Sequence, residues 1–170
     1  AAANYSITLG GAALAAGQSV TFTIATGLVL DTASEGVDYN SKDGTLTVTA
    51  PAGGWAIGST VAAFAVQTID DTLYDPGEKY TVTLAGSSIG SASGSVETTI
   101  TDNDTPVFTL SGDSSVLEGA AANYSITLGG AALAAGQSVT FTIATGLVID
   151  SASEGVDYDS VDGTLTVTAP

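Results

Sequence analysis

Residues 19–24 read SVTFTI, and the same six residues return unchanged at 138–143. Val20, Phe22 and Ile24 alternate with Ser19, Thr21 and Thr23, so apolar and hydroxyl side chains point to opposite faces of an extended chain. That is the pattern of a strand with one face on a core and the other in water. Working outward, Tyr5, Ile7 and Leu9 alternate with Asn4, Ser6 and Thr8, and Leu46 and Val48 with Thr45, Thr47 and Thr49. Further runs follow at Thr60 to Thr68 around Phe64 and Val66, at Tyr80, Val82 and Leu84, at Val96, Thr98 and Ile100, and at Val107 to Leu110 with Val116-Leu117. Gly, Ser, Asp and Pro clusters separate them, and Asp43-Gly44 and Asp162-Gly163 read as hairpin turns. Ala12 to Ala16 is the one good helix-forming run, and it is too short to stand alone. Roughly seven short strands per hundred residues predict an all-β fold, an immunoglobulin-like antiparallel β-sandwich of Greek-key type. Trp55, between strands, is expected to anchor a loop over one end of the core.

The strand pattern belongs to an internal repeat. Ala1 to Pro51 recurs as Ala120 to Pro170, an offset of 119 residues, with differences only at Leu30/Ile149, Thr32/Ser151, Asn40/Asp159 and Lys42/Val161. A period of this length suits one independent domain per copy and is too long for a solenoid unit. The expected organisation is a repeat over 1–104 without its first strand, followed at 105–170 by the N-terminal portion of the next. The segment Pro106 to Gly119 has no counterpart ahead of Ala1. An open sheet edge then invites strand exchange between chains or a disordered half-domain.

Against 18 acidic residues stand two lysines, Lys42 and Lys79, with no Arg and no His, for a formal net charge of −16. Nucleic acid and anionic membrane surfaces need a basic footprint and are excluded as partners, whereas cations are favoured. With no Cys there is neither a disulfide nor a thiolate ligand. No apolar run is long enough to cross a bilayer as a helix. No nucleophile-and-base arrangement is visible, so no enzymatic activity is expected.

The acids gather at expected strand ends: Glu118, Asp38, the run Asp70, Asp71, Asp75 and Glu78, and Asp102 with Asp104 around Asn103. In a sandwich, alternate loops collect at one pole, so these carboxylates can converge. Carboxylates gathered at one pole repel unless a cation joins them. Calcium, with six to eight oxygen ligands and tolerance of irregular loops, suits the set better than zinc or copper, which favour His or Cys. Glu35, Asp31, Asp43 and Glu97 are read instead as solvated surface charge.

This ordered set resembles the Calx-beta domain, an immunoglobulin-like calcium-binding sandwich. The resemblance spans the whole repeat, with Asp75-Pro76-Gly77-Glu78 departing from the family's more usual Glu-Gly-Asp-Glu. It implies as ligands Asp38 and its copy Asp157, Asp70, Asp71, Asp75, Glu78, Asp102, Asn103, Asp104 and Glu118, with Asp113 as a possible contribution from the next copy. Tandem, acidic, Cys-free copies also resemble extender regions of large bacterial RTX adhesins. The implied role is an extracellular spacer at the cell surface, with Ca2+ stiffening each domain and the short Asp102 to Pro106 join. The rival expectation is a calcium-dependent carbohydrate-binding or other adhesive module.

Overall fold

In the computed structural model, which describes residues 1–170, SVTFTI lies within β2 (Ser19–Thr26). Its alternation appears as burial: Val20, Phe22 and Ile24 are enclosed while Ser19 and Thr23 face solvent. All regular structure is strand. By internal contacts the chain divides into two units, one of Ala1–Asp71 with Pro76–Asp102, the other of Thr72–Asp75 with Asn103–Pro170.

The first unit is an antiparallel sandwich. One sheet pairs β1 (Ala2–Thr8) with β4 (Thr60–Gln67), and the other runs in the order β3 (Gly44–Thr49), β2, β6 (Lys79–Ser87), β7 (Ser95–Thr99). The chain changes sheet after β1, after β3 and again after β4, the crossing expected of a Greek key. Apolar side chains from both sheets meet in between: Ile7 with Val20, Phe22, Val61 and Ala62, and Ile24 with Val66, Tyr80 and Val82. Val61 and Ala62 are both buried although adjacent, because Ile7 faces Ala62 and Thr8 faces Thr60, which leaves Val61 as an extra bulged residue. Trp55 packs on the Ile7 cluster and bridges to Leu14, as its loop position suggested.

Tyr80 has no exposed surface and stacks on Tyr39 at 4.5 Å between ring centroids, with 20° between the planes. Gly27 makes room for that stack. It sits at φ 82°, and a Cβ there would lie 2.5 Å from the Tyr39 hydroxyl.

The second unit repeats the first unit's opening strands. β8 (Pro106–Gly112) pairs with β9 (Tyr124–Gly130), β11 (Ser138–Ile143) pairs with β12 (Gly163–Thr168), and β5 (Leu73–Tyr74) makes a short parallel pair with β10 (Ala132–Leu133). Phe108 meets Phe141 edge to face at 5.0 Å. Val116 and Leu117, expected to continue a strand, are instead exposed in the loop between β8 and β9.

Asp43-Gly44 is not a hairpin turn either. Residues 27–43 separate β2 from β3, and the Asp43 carboxylate accepts hydrogen bonds from the Thr26 amide (2.5 Å) and hydroxyl (2.8 Å) across that long loop. β2 and β3 do pair, but through an excursion long enough to build one pole of the unit.

Candidate metal centre

The excursion owes its shape to a tight turn. The Asp38 amide donates to the Ser34 carbonyl at 2.9 Å, and the Ser34 amide donates to Asp38 Oδ2 at 2.5 Å, so side chain and backbone close one ring from both ends. The turn then docks on the end of β4. Tyr39 bridges to Thr68, the Asn40 amide donates to the Gln67 carbonyl, and the Ile69 amide donates to the Asp38 carbonyl, both at 2.8 Å. Residue 38 is thereby carried beside 70 and 71.

Two other chain segments close the same pole. The amides of Thr32 and Ala33 donate to the Lys79 carbonyl, the Lys79 amide donates to the Thr32 hydroxyl at 2.9 Å, and the Ile100 amide donates to the Glu78 carbonyl at 2.8 Å. Residues 31–40, 67–71, 78–79 and 100–102 therefore share one end of the sandwich.

Asp38, Asp71 and Asp75 each offer a carboxylate oxygen, all within 4.8 Å of one another. Asp38 is buried at 7% exposure, Asp75 is half-buried and Asp71 is exposed. Two oxygens bound to one calcium at roughly 2.3–2.6 Å can stand up to about 4.6–5.2 Å apart, so the spacing admits a single ion. The donors are all hard oxygens in a chain without His or Cys, which fits calcium or magnesium and not zinc or copper.

The other expected ligands are distributed as follows. Asp70 is exposed beside Asp71, Glu78 is half-buried at the start of β6, and Asp102 is half-buried where the first unit ends. Asn103, exposed, and Asp104, half-buried, lead into β8. Asp113 and Glu118 are exposed in the β8–β9 loop, where Asp113 Oδ2 accepts from the Asn123 amide (2.9 Å) and side-chain nitrogen (3.2 Å). Those two bonds hold the Asp113 carboxyl below the ordinary aspartate range. Asp157 repeats the turn of Asp38, accepting from the Ser153 amide at 2.8 Å, but it is exposed.

Two acids read as surface charge prove to be structural. Asp43 ties down Thr26, as described above, and Asp31 accepts from the Leu28 amide (2.7 Å), the Thr81 amide (2.8 Å) and the Thr81 hydroxyl (2.9 Å). Burial pushes the Asp31 carboxyl upward, but the bonds from Leu28 and Thr81 together outweigh it and leave its pKa lowered. The local half of this role was detectable, since an Asp closing a four-residue turn on its own backbone is a common device. The half that reaches Thr81, fifty residues away, carries no sequence signal.

With this geometry in place, comparison with known families gives a clear result. Residues 6–105 and again 101–169 match the Calx-beta domain. The chain belongs to the Calx-beta domain family. No curated protein and no solved structure matches it. Two successive Calx-beta segments agree with the repeat, and membership places the chain among β domains of calcium-binding type, with a structural or binding role.

Proposed function

We infer that the chain is a pair of calcium-stiffened spacer units from a bacterial cell-surface adhesin of RTX type, working outside the cell as links in a row of near-identical copies. The observation that carries this reading is the grouping of Asp38, Asp71 and Asp75, within 4.8 Å of one another, in a chain of the Calx-beta family. Close carboxylates repel one another unless a divalent cation lies among them, so a bound ion adds stability by RT ln(1 + [Ca2+]/Kd). The near identity of the copies supports a repeated mechanical part over a dedicated receptor, because 47 of the 51 residues shared by the copies are the same.

In this role Ca2+ is the ligand, neighbouring copies in tandem are the partners, and Asp102 to Pro106 is the join that the ion stiffens. Pro106 adds a fixed φ and restricts Thr105 before it.

Thermal unfolding with 2 mM Ca2+ against excess chelator tests the calcium reading. An ion at about a hundred times its Kd contributes about 2.7 kcal/mol, roughly 10–20 °C in Tm for a domain of this size. An unchanged Tm would refute calcium stabilisation. Small-angle scattering on a row of several repeats tests the spacer, which should be extended and stiff in Ca2+ and shorter and more flexible without it. Specific glycan retention on an array, with no change in scattering, would favour the adhesive module instead.

A further inference from the structure

Between β2 and β3 the chain leaves the sheet for residues 27–43, and the repeat varies only there. Leu30/Ile149, Thr32/Ser151, Asn40/Asp159 and Lys42/Val161 all fall inside this loop and its copy at 146–162, although the loop is only a third of the repeated length. The flanking strands are identical in the two copies. All of these varied residues are exposed, so core packing does not account for the differences.

The tip of the loop is built to hold its shape. The Asp31 amide donates to the Leu28 carbonyl at 3.0 Å and the Leu28 amide to Asp31 Oδ2 at 2.7 Å, which closes a four-residue turn from both sides. The Asp31 carboxylate also takes the Thr81 amide and hydroxyl, and the Gly27 amide donates to the Thr81 carbonyl at 2.8 Å, so the turn is fastened to β6. At its corner Val29 and Leu30 stand almost wholly in solvent.

The second copy closes the same turn with Asp150 on Leu147, and it holds Val148 and Ile149 out in the same way. Residues 52–104 follow the first copy, and residues 105–119 precede the second. Neither stretch covers the turn beside it, so the exposure belongs to the turn itself. Two aliphatic side chains already fixed in water lose little further freedom on contact, which suits the anchor of an interface.

Around that constant anchor the copies differ in charge. Lys42 is exposed and makes no ion pair. Its copy is Val161, two residues from Asp159, which stands where the first copy has Asn40. One loop thus offers a cation and the other an added anion. On a chain of net charge −16 most surfaces of two copies repel, and this exchange supplies an opposite-charge pair for one particular contact between them.

We propose that the turn at Val29-Leu30 docks on the turn at Val148-Ile149 of a second copy of this chain, aliphatic corner on aliphatic corner, with Lys42 of one chain facing Asp159 of the other. The contact joins unlike surfaces and each chain carries both, so association is head-to-tail and either closes as a reciprocal dimer or continues along a file of chains. The corners supply the burial, and the charges select first copy with second over second with second.

The test is sedimentation velocity on the 170-residue chain, from the micromolar to the millimolar range at about 0.15 M salt. The sedimentation coefficient should rise with concentration both in Ca2+ and in chelator, so the result stands or falls apart from the calcium reading. Val29→Ser with Leu30→Ser should weaken association at least tenfold. Val148→Ser with Ile149→Ser should do the same, since each contact needs both corners. Lys42→Asp should weaken it about two- to fivefold, the worth of an exposed ion pair, and Asp159→Lys added to that variant should restore it. All of these positions are exposed, and an unchanged Tm shows that the variants remain folded. No association at millimolar concentration, association indifferent to either serine pair, or failure of the reversed charges to restore it would overturn the proposal.

Discussion

The two repeats put one sequence into two surroundings. In the first, Val20, Phe22 and Ile24 are 3%, 6% and 4% exposed, and Leu46 and Val48 are half-buried. In the second, Val139, Phe141 and Ile143 are only half-buried, and Leu165 and Val167 are 42% and 50% exposed. The local bonds nevertheless survive the change. Asp162 caps the Thr145 amide and hydroxyl as Asp43 caps Thr26, and Asp150 accepts from Leu147 as Asp31 does from Leu28. Turns and hairpin registers are thus carried by residues close in sequence, while burial in the first repeat is supplied by β4, β6 and β7.

This contrast can be attacked by making the same change in both copies. Phe22→Ala should remove about 3–5 kcal/mol from the main unfolding transition, whereas Phe141→Ala should leave that transition where it is. Equal effects in chemical denaturation would mean that the second repeat shares the first repeat's core.

Gly27→Ala forces a Cβ onto the Tyr39 hydroxyl at a positive φ and should cost roughly 1–3 kcal/mol. Gly146, at φ 78° against Tyr158, is built alike, but its Tyr158 is only half-buried and can move aside. Gly146→Ala is expected to leave the calorimetric Tm of the first unit within a degree.

Alkaline pH probes the burial difference without mutation. Desolvation by burial raises the Tyr80 pKa far above the ordinary tyrosine value of 10.0, and burial raises Tyr39 as well. A raised folded-state pKa leaves stability intact below pH 10 and erodes it as pH climbs toward the folded value. The loss should approach about 1.4 kcal/mol per pH unit for each tyrosine held neutral, and Tyr80→Phe should remove its share. A melting temperature that is flat from pH 9 to 11.5 would contradict the tight enclosure of this pair.

The smallest effect is expected at Asp31. Its lowered pKa means that its stabilisation is complete above the ordinary carboxylate value of 3.8 and is lost as pH falls through the lower folded value. Asp31→Asn should cost about 1 kcal/mol at pH 7 after allowance for partial solvent exposure. Asp150→Asn, without a Thr81 counterpart to release, should have no measurable effect on urea unfolding of the first unit.

Much of this was legible along the chain. Period-two alternation located β2, β3 and the centre of β6, because one buried face imposes it wherever a strand borders a core. It misplaced Val116-Leu117, where two apolar residues satisfy the pattern but no partner strand covers them. Among the acids, placement at expected strand ends put Asp38, Asp71 and Asp75 in one larger set, which the structure narrows to those three as a close group. Spacing gave no warning that Asp31 reaches Thr81 or that Asp43 holds Thr26, since both partners are ordinary strand residues in the sequence.

The sequence by itself determined the repeat and the oxygen-only donor set, which composition and comparison along the chain reveal, and the strand faces, which depend on residues within a few positions of one another. Only the tertiary structure decided how deeply each strand face is buried and which carboxylates meet. Those outcomes depend on strands far along the chain, which no short stretch of sequence encodes.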